Sequence, residues 1–308
     1  MLKDLYTLIT QELRYLADKE TLCELPLVAH DLLLGAKRKP KEQNFTYMDL
    51  HAHFRKTENI RDIINEASKR VDVLSIVTWA KEYNNGEMSF SDALEKLEQE
   101  KVEHHKIGER IVVINRSDDR PFYLLRATET YVKENQGVVM VGTDKEFSAD
   151  SLTLDDAINE ATEMNSFYFL DHPFSIGVPV IGFRYPTEEE LKLRQKWFDK
   201  YNPVIEIHNH QNTLWMFPSN ILAKKMAQKH NLVGIANSDT HFGITDVGLS
   251  RTVIPSSYLD NYSEEAFLKT LKNALSMAHY DNIKVESGYS SIWSFGKNMI
   301  LPRLIGRH

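Results

Sequence analysis

The sequence predicts an α/β fold whose core is a mainly parallel sheet, either open or closed into a barrel. Seven short apolar runs are each followed by polar or helical sequence: YMDL, VLSIVT, FYLLRAT, GVVMVG, SFYFLD, PVIEIH and LVGIAN. Between most of these runs lie stretches with apolar residues at helical spacing, such as SLTLDDAINEATE and NILAKKMAQKH. Repeated strand-then-helix order is typical of a parallel sheet.

Two segments depart from this alternation. Near the N-terminus, Leu2, Leu5, Ile9, Leu13 and Leu16 recur at helical spacing and predict an amphipathic helix over residues 2–18. The charged connector AKRKPKEQ follows, so the chain divides into a helical extension at 1–45 and a barrel domain at 46–308. The stretch RIVVINRSDDRPFYLL contains two apolar runs joined by turn-forming residues and predicts a β-hairpin.

The composition excludes several classes of protein. With 308 residues, of which 42% are hydrophobic and 26% charged, the chain is an ordinary globular protein. Its net charge of −7 argues against an extended nucleic-acid surface, but not against a small phosphate pocket. No apolar run approaches the roughly 20 residues of a membrane span, and Cys23 has no partner for an internal disulfide. We therefore expect a cytoplasmic protein, with the oligomeric state left open.

Metal-competent side chains stand at the ends of five of the seven predicted strands. In the first of these, DLHAH, His51 and His53 are two residues apart and so face the same side of a strand, with Asp49 behind them to orient a ring. The carboxyl ends of parallel strands form one ligand-binding face. The other strand ends supply Glu129, Asp171, His172, Glu206, His208, His210, Asp239 and His241. This pattern predicts a metal site.

The motifs DLHAH, RATE, DHPF, EIHN and NSDTH, in that order, resemble those of the PHP (polymerase and histidinol phosphatase) superfamily of metallohydrolases. The resemblance implies a distorted seven-stranded TIM-like barrel with its metals at the carboxyl face. It also implies that His51, His53 and Asp239 hold one divalent ion. Glu129 would bridge to a second ion, which His172 would also hold. Mixed imidazole and carboxylate ligands suit Zn, Mn or Fe.

Three positions depart from the family pattern. Trp79 and Asn59 stand where the family commonly has histidine ligands of a third ion, so that only His241 of that set remains. The resemblance therefore implies two bound ions. Asp144 stands where some members have a histidine ligand of the second ion, and a carboxylate could still coordinate there. His208 is a further candidate ligand.

The resemblance implies a phosphoesterase that uses a metal-activated water at a dinuclear site to hydrolyse a small phosphorylated molecule or a nucleotide. Two alternatives stay open: a nuclease acting on DNA or RNA ends, and a PHP-like module with a degenerate, non-catalytic site. Asp239 and Glu129 are the expected catalytic carboxylates. His241 would either protonate the leaving group or simply ligate an ion.

Three further residues are candidates for substrate binding. Arg184 and Arg251 each follow a ligand-bearing strand, where a guanidinium could bind phosphate through two parallel hydrogen bonds. His210 is the third candidate, because it follows the same strand as His208. The alternative for each arginine is a surface salt bridge.

Overall fold

The computed structural model describes residues 17–37, 39–80, 86–116, 120–143, 145–178, 182–241, 243–259, 262–276 and 282–296. The helix predicted over residues 2–18 falls almost entirely outside these ranges. The first described helix begins immediately afterwards, where the Asp18 carboxylate caps it by accepting the backbone N–H groups of Glu20 and Thr21.

Thirteen strands and eight helices are described. The strands are β1 Phe45–Asp49, β2 Val73–Trp79, β3 His104–Lys106, β4 Ile111–Ile114, β5 Phe122–Val132, β6 Gln136–Val141, β7 Phe167–Leu170, β8 Ile176–Val178, β9 Gly182–Arg184, β10 Val204–Asn209, β11 Gly234–Asn237, β12 Arg251–Pro255 and β13 Lys284–Glu286. The helices are α1 Lys19–Leu34, α2 Ile60–Ala67, α3 Phe90–Gln99, α4 Leu154–Glu163, α5 Glu188–Tyr201, α6 Pro218–His230, α7 Glu264–Ala274 and α8 Ile292–Phe295. All seven predicted strands are present, as β1, β2, β5, β6, β7, β10 and β11.

One mixed sheet organises the molecule. Its main path runs β11-β10-β7-β6-β5-β2-β1-β12-β13, with β4 on β5 and β3 on β4, so the predicted hairpin is confirmed as β4–β5. The sheet nearly closes into a barrel, because the chain after β1 meets the chain after β11. There the N–H of Asp239 donates to the carbonyl of His51 at 2.7 Å, and the N–H of His53 donates to that of Thr240 at 2.8 Å.

The direction of β6 corrects the expectation of a mainly parallel barrel. β1, β2 and β5 are parallel, as are β7, β10 and β11, but β6 is antiparallel to both of its neighbours. Three residues, 133–135, join β5 to β6, and Asn135 adopts a left-handed conformation. So short a connection permits only a hairpin, because a parallel pair needs a crossover of a dozen or more residues. The carboxyl end of β6 therefore points away from those of β5 and β7.

Helices pack on the outer surface of the barrel. α2 and α3 bury one apolar face against β2 and β5, and α4, α5 and α6 bury theirs farther along the sheet. α3, α4 and α5 each begin with a capping box, which satisfies backbone N–H groups at the helix start. Among the described residues, no helix is both long and apolar enough to cross a membrane.

Candidate metal centre

His51 and His53 meet at the carboxyl end of β1. Both side chains are fully buried, and their Nε2 atoms lie 3.2 Å apart. Two alternate positions of the chain therefore present their imidazoles to one point, as the sequence predicted. Burial lowers the pKa of His53, but the carboxylates of Glu87 and Glu129 outweigh it and raise the value to about 9.

Glu129 extends from the middle of β5 towards these two rings. Its Oε2 atom lies 3.4 Å from the Nε2 of His51 and 3.1 Å from that of His53. The indole N–H of Trp79, the directly paired residue on β2, donates to the same oxygen. Burial opposes ionisation, but the hydrogen bonds from the two histidines hold the pKa of Glu129 well below its usual range.

Asp239 and His241 enter from the loop after β11. The Oδ1 atom of Asp239 lies 3.4 Å from the Nε2 of His51 and 3.0 Å from that of His241, and its Oδ2 accepts an N–H from Asn209 at 2.8 Å. Burial raises the pKa of Asp239, but the neighbouring histidines, His51 first, hold it well below its usual range. The His241 ring lies parallel to that of His53, with centroids 4.6 Å apart.

His172 completes the set of histidines around this point. Its Nδ1 lies 2.9 Å from the carbonyl oxygen of Ser175, which can only accept, so Nδ1 carries the proton. The lone pair on Nε2 consequently faces the cluster, where Asp171 Oδ2 lies at 3.2 Å and Asp239 Oδ2 at 3.9 Å. This is the tautomer that a metal ligand needs.

The surroundings of the Asp171 side chain bear on whether the cluster fits a cation. It is fully buried, and neither oxygen has a hydrogen-bond partner among the described residues, because the nearby His172 nitrogen lacks hydrogen-bond geometry. Burial and the adjacent Glu129 carboxylate raise the pKa of Asp171 well above its usual range. Two buried carboxylates in contact require either a proton or a cation between them.

The backbone opposite Asp171 leaves room for its carboxylate. A Cβ atom at Gly137, on β6, would come within 2.0 Å of the Asp171 Oδ1 atom, so the absence of a side chain there creates the space. His51, Glu129 and Asp171 form one group of potential ligands, and His51, His53 and Asp239 form another. A third group contains His53, Glu87 and His241. The donor set therefore fits divalent ions.

Three carboxylates in or beside this centre were not among the predicted site residues. Asp171 and Glu206 had been noted at strand ends, and that signal could have included them. Glu87 had no signal, because it follows no strand directly. Its segment reaches the site through a single bridge between Arg55 and Glu87.

Asp49 does not orient a histidine ring, contrary to expectation. Its carboxylate instead accepts the backbone N–H groups of Ser238 at 3.0 Å and Gly248 at 2.8 Å, which fastens β1 to the loops beside it. Burial raises the pKa of Asp49 to about 6. The carboxylate that faces the outer nitrogen of the His51 ring is Glu206, whose Oε1 lies 3.4 Å from Nδ1.

His208 and His210 lie apart from the ligand groups. Both rings contact the carbonyl oxygen of Gly288, through Nε2 of His208 at 2.9 Å and Nδ1 of His210 at 2.8 Å. Burial lowers the pKa of His208 to about 4. A bulge in β10 between Glu206 and His208 interrupts the regular alternation of the strand, so the side chains of Glu206 and His208 point in different directions. The predicted metal role of His208 and substrate role of His210 stay predictions that this placement does not favour.

The remaining predicted residues are engaged elsewhere or not described. Arg184 binds both oxygens of Glu190, the third residue of α5 and part of its capping box, at 2.7 and 2.8 Å. Arg251 binds Glu286 and lies over the Tyr47 ring. Both arginines therefore form salt bridges, although Arg251 is buried and not at the surface as the alternative supposed. Phosphate binding stays an untested prediction for both. Asp144 lies outside the described residues.

Two of the three positions that depart from the implied family pattern, Asn59 and Trp79, have structural roles here. Asn59 caps α2 by accepting the backbone N–H of Asp62 at 3.0 Å. Trp79 lies beside the stacked rings of His53 and His241, with its ring centroid 5.2 and 4.8 Å from theirs. An indole therefore fills the space beside the histidines where the sequence resemblance implied a ligand.

Comparisons with known proteins point to the same superfamily. Residues 217–274 match a family model described as PHP-associated. The resemblance to PHP proteins is thereby confirmed. No curated protein sequence matches the chain.

Several solved structures are similar to the chain at low identity and with TM-scores below 0.5. A two-domain protein from Bacteroides vulgatus containing a predicted PHP-like metal-dependent phosphoesterase is 16% identical, with 82% of this chain and 68% of that chain covered and a TM-score of 0.48. PsfC from Pseudomonas syringae is 14% identical over 86% of this chain and 98% of that chain, with a TM-score of 0.49. The lesion-specific endonuclease PfuEndoQ from Pyrococcus furiosus is 13% identical over 74% of this chain and 56% of that chain, with a TM-score of 0.46. At these levels the likenesses assign no substrate to this chain.

The protonation of the histidines makes metal binding depend on pH. The pKa of His53 is raised to about 9, and Asp239 and Glu129 raise the pKa of His51 despite burial. An incoming ion must displace these protons, so we expect metal affinity to rise by about tenfold per pH unit for each proton released, between roughly pH 6 and pH 9. Competition with a chelator of known pH dependence measures the affinity at each pH. A metal affinity that does not change across this range would contradict the prediction.

Proposed function

We propose that the protein is a metal-dependent phosphoesterase that hydrolyses a phosphate ester of a small phosphorylated molecule or a nucleotide at a centre of two divalent ions, Zn, Mn or Fe. The observation that carries the proposal is the buried Asp171 carboxylate beside Glu129, which has no hydrogen-bond partner in the described part of the chain and lies within a cluster of histidine nitrogens. His51, His53 and Asp239 would hold one ion. Glu129 would reach both ions, and His172 with Asp171 would complete the second.

The chain's own residues hold these ligands in place before any substrate arrives. Asn209 fixes one oxygen of Asp239, and the Ser175 carbonyl fixes the ring of His172. When bound, divalent ions supply an activated water and neutralise phosphoryl oxygens. A rigid ligand set of this kind keeps reacting groups aligned, which is the main requirement of phosphoryl transfer.

His241 is proposed as the group that protonates the leaving alkoxide, since its ring nitrogen is held 3.0 Å from Asp239 at the edge of the cluster. A well-placed acid contributes about a hundred- to ten-thousand-fold in rate. We expect His241→Gln to lose activity in that range on an ester with a poor alkoxide leaving group, but little on a nitrophenyl ester. Equal losses on both esters, together with loss of metal, would make His241 a plain ligand.

The proposed function is tested by metal analysis of the purified protein followed by phosphate release from a panel of monoesters and diesters. We expect about two ions per chain and turnover of small monoesters or nucleotides. Cleavage restricted to the ends of DNA or RNA would identify a nuclease instead. Absence of bound metal, after incubation with Zn, Mn and Fe in turn, would identify a degenerate module.

A further inference from the structure

Glu87 lies beside the outer edge of the His53 ring. The segment before α3 runs antiparallel to the segment after β1, with the N–H of Met88 donating to the carbonyl of Phe54 and the N–H of Lys56 to that of Gly86. This pairing buries the Glu87 side chain to 6% exposure. Its Oε1 atom then lies 3.6 Å from the Nδ1 of His53.

The two nitrogens of His53 face different surroundings. Nε2 points into the cluster, 3.1 Å from Glu129 Oε2, whereas Nδ1 points outward, is buried, and has no hydrogen-bond partner among the described residues. A neutral imidazole has a single lone pair, so a ring that ligates an ion through Nε2 must carry its proton on Nδ1. Glu87 is the carboxylate that faces this N–H.

We propose that Glu87 is a positioning residue that accepts the Nδ1–H of His53 and so keeps the Nε2 lone pair directed at the metal. The proposal rests on the metal centre described under the proposed function. A contraction of the 3.6 Å separation by about half an ångström would give an ordinary hydrogen bond. Carboxylates that hold a ligating histidine in this way raise its basicity as well as fixing its orientation.

Two other histidines of the centre show the same arrangement. The Nδ1 of His51 contacts the Glu206 carboxylate at 3.4 Å, and the Nδ1 of His172 contacts the carbonyl of Ser175 at 2.9 Å. In each case an outer acceptor leaves Nε2 facing inward. Glu87 supplies the corresponding acceptor for His53.

The competing role for Glu87 is direct ligation of an ion together with His53 and His241. The approach of its carboxylate to Nδ1 argues against this, because His53 would then have to bind ions through both nitrogens. The second oxygen is also engaged, since Oε2 accepts the backbone N–H of Trp79 at 3.2 Å. Both oxygens of Glu87 therefore meet N–H donors in the orienting role.

Because Glu87 accepts two N–H groups in the orienting role, its replacement by glutamine tests that role directly. In Glu87→Gln, only one of the two positions can be an oxygen, and the amide NH₂ must face either Trp79 N–H or His53 Nδ1. If the amide oxygen stays with Trp79, the NH₂ donates to Nδ1 and forces the His53 proton onto Nε2, which blocks ligation. Glu87→Leu removes the acceptor without imposing the wrong tautomer.

The test measures metal binding and histidine tautomers, not turnover. We expect both Glu87→Gln and Glu87→Leu to weaken the affinity for Zn by about ten- to a hundredfold in chelator competition, without reducing the number of ions bound at saturation. The matched control is Glu58→Gln, whose carboxylate accepts the N–H of Arg55 on the neighbouring segment, and we expect it to leave the affinity unchanged. Nitrogen-15 NMR of the Zn-loaded wild-type protein should show His53 protonated at Nδ1 and ligated at Nε2.

Two results would overturn the proposal. Loss of one whole ion from both Glu87 variants, with the remaining affinity unchanged, would show that Glu87 is a ligand. A proton on Nε2 of His53 in the Zn-loaded wild-type protein would exclude the orienting role without any substitution. Neither measurement depends on phosphate release. Failure of the Glu87 proposal can therefore be told apart from failure of the proposed phosphoesterase activity.

Discussion

Replacing Glu129 by glutamine is expected to remove most of the affinity for both ions and to abolish phosphate release. The Glu129 Oε2 atom lies within 3.4 Å of the Nε2 atoms of both His51 and His53, and the residue also shares a ligand group with Asp171. An amide keeps the shape but loses the charge that these partners face. Breaking a buried charged pair costs about 3–5 kcal/mol, which corresponds to at least about a hundredfold in affinity.

The measurement is metal titration of Glu129→Gln by calorimetry, followed by a phosphate-release assay. Glu103→Gln is the matched control, because Glu103 is exposed and pairs only loosely with Asn115. We expect the control to match the wild-type protein in both assays. Retention of two ions with full turnover in Glu129→Gln would show that this carboxylate does not bridge.

Local sequence patterns predicted the parts of the centre that one strand or strand end supplies. The spacing of His51 and His53 predicted that both rings share a face, and their Nε2 atoms are 3.2 Å apart. The SDTH motif likewise predicted that Asp239 and His241 would join them. In each case the direction of the side chain follows from the alternation along a strand, or its position follows from the residues directly after a strand. Both can be recognised in the sequence alone.

Features that depend on chain direction or on irregular segments could not be predicted in this way. The run GVVMVG was predicted as one strand of a mainly parallel sheet, whereas the three-residue turn before β6 reverses that strand. Glu87 is brought to the site by pairing between two irregular segments. Such segments have no regular hydrophobic pattern from which the sequence could predict the pairing. Asp49 has the expected position, but its carboxylate binds backbone N–H groups, because both ends of the connection between β11 and β12 come close to it.

Trp79 and Asn59 stand where the resemblance implied histidine ligands of a third ion, so the sequence predicted an incomplete set of ligands for that ion. In the structure, however, the Glu87 carboxylate lies next to His53 and His241. In the orienting role proposed above, Glu87 supplies no ligand for a third ion, so two ions per chain are still expected. The tautomer of His53 in the Zn-loaded protein tests this.

Replacing Asp171 by asparagine is expected to have opposite effects on the metal-free and metal-loaded protein. Without metal, the raised pKa of the buried Asp171 carboxyl costs stability at neutral pH, because the unfolded chain ionises freely there. This cost is absent below the unfolded pKa and grows as pH rises towards the folded value. Asparagine cannot ionise, and its amide can donate to Glu129. We therefore expect the metal-free variant to be more stable at pH 8 by about 1–3 kcal/mol, with the difference shrinking as the pH falls towards 4.

With metal present, the order should reverse. The ion that Asp171 would ligate stabilises the folded wild-type protein in proportion to the logarithm of its concentration over the dissociation constant, and the variant loses that gain. Denaturant unfolding with chelator and with saturating Zn measures both arms. Asp150→Asn is the matched control, because Asp150 is exposed and in a left-handed conformation that asparagine tolerates; we expect changes within about 0.5 kcal/mol. A variant that is less stable than wild type under both conditions, with unchanged Zn affinity, would mean that Asp171 is a structural carboxylate and that the cation lies elsewhere.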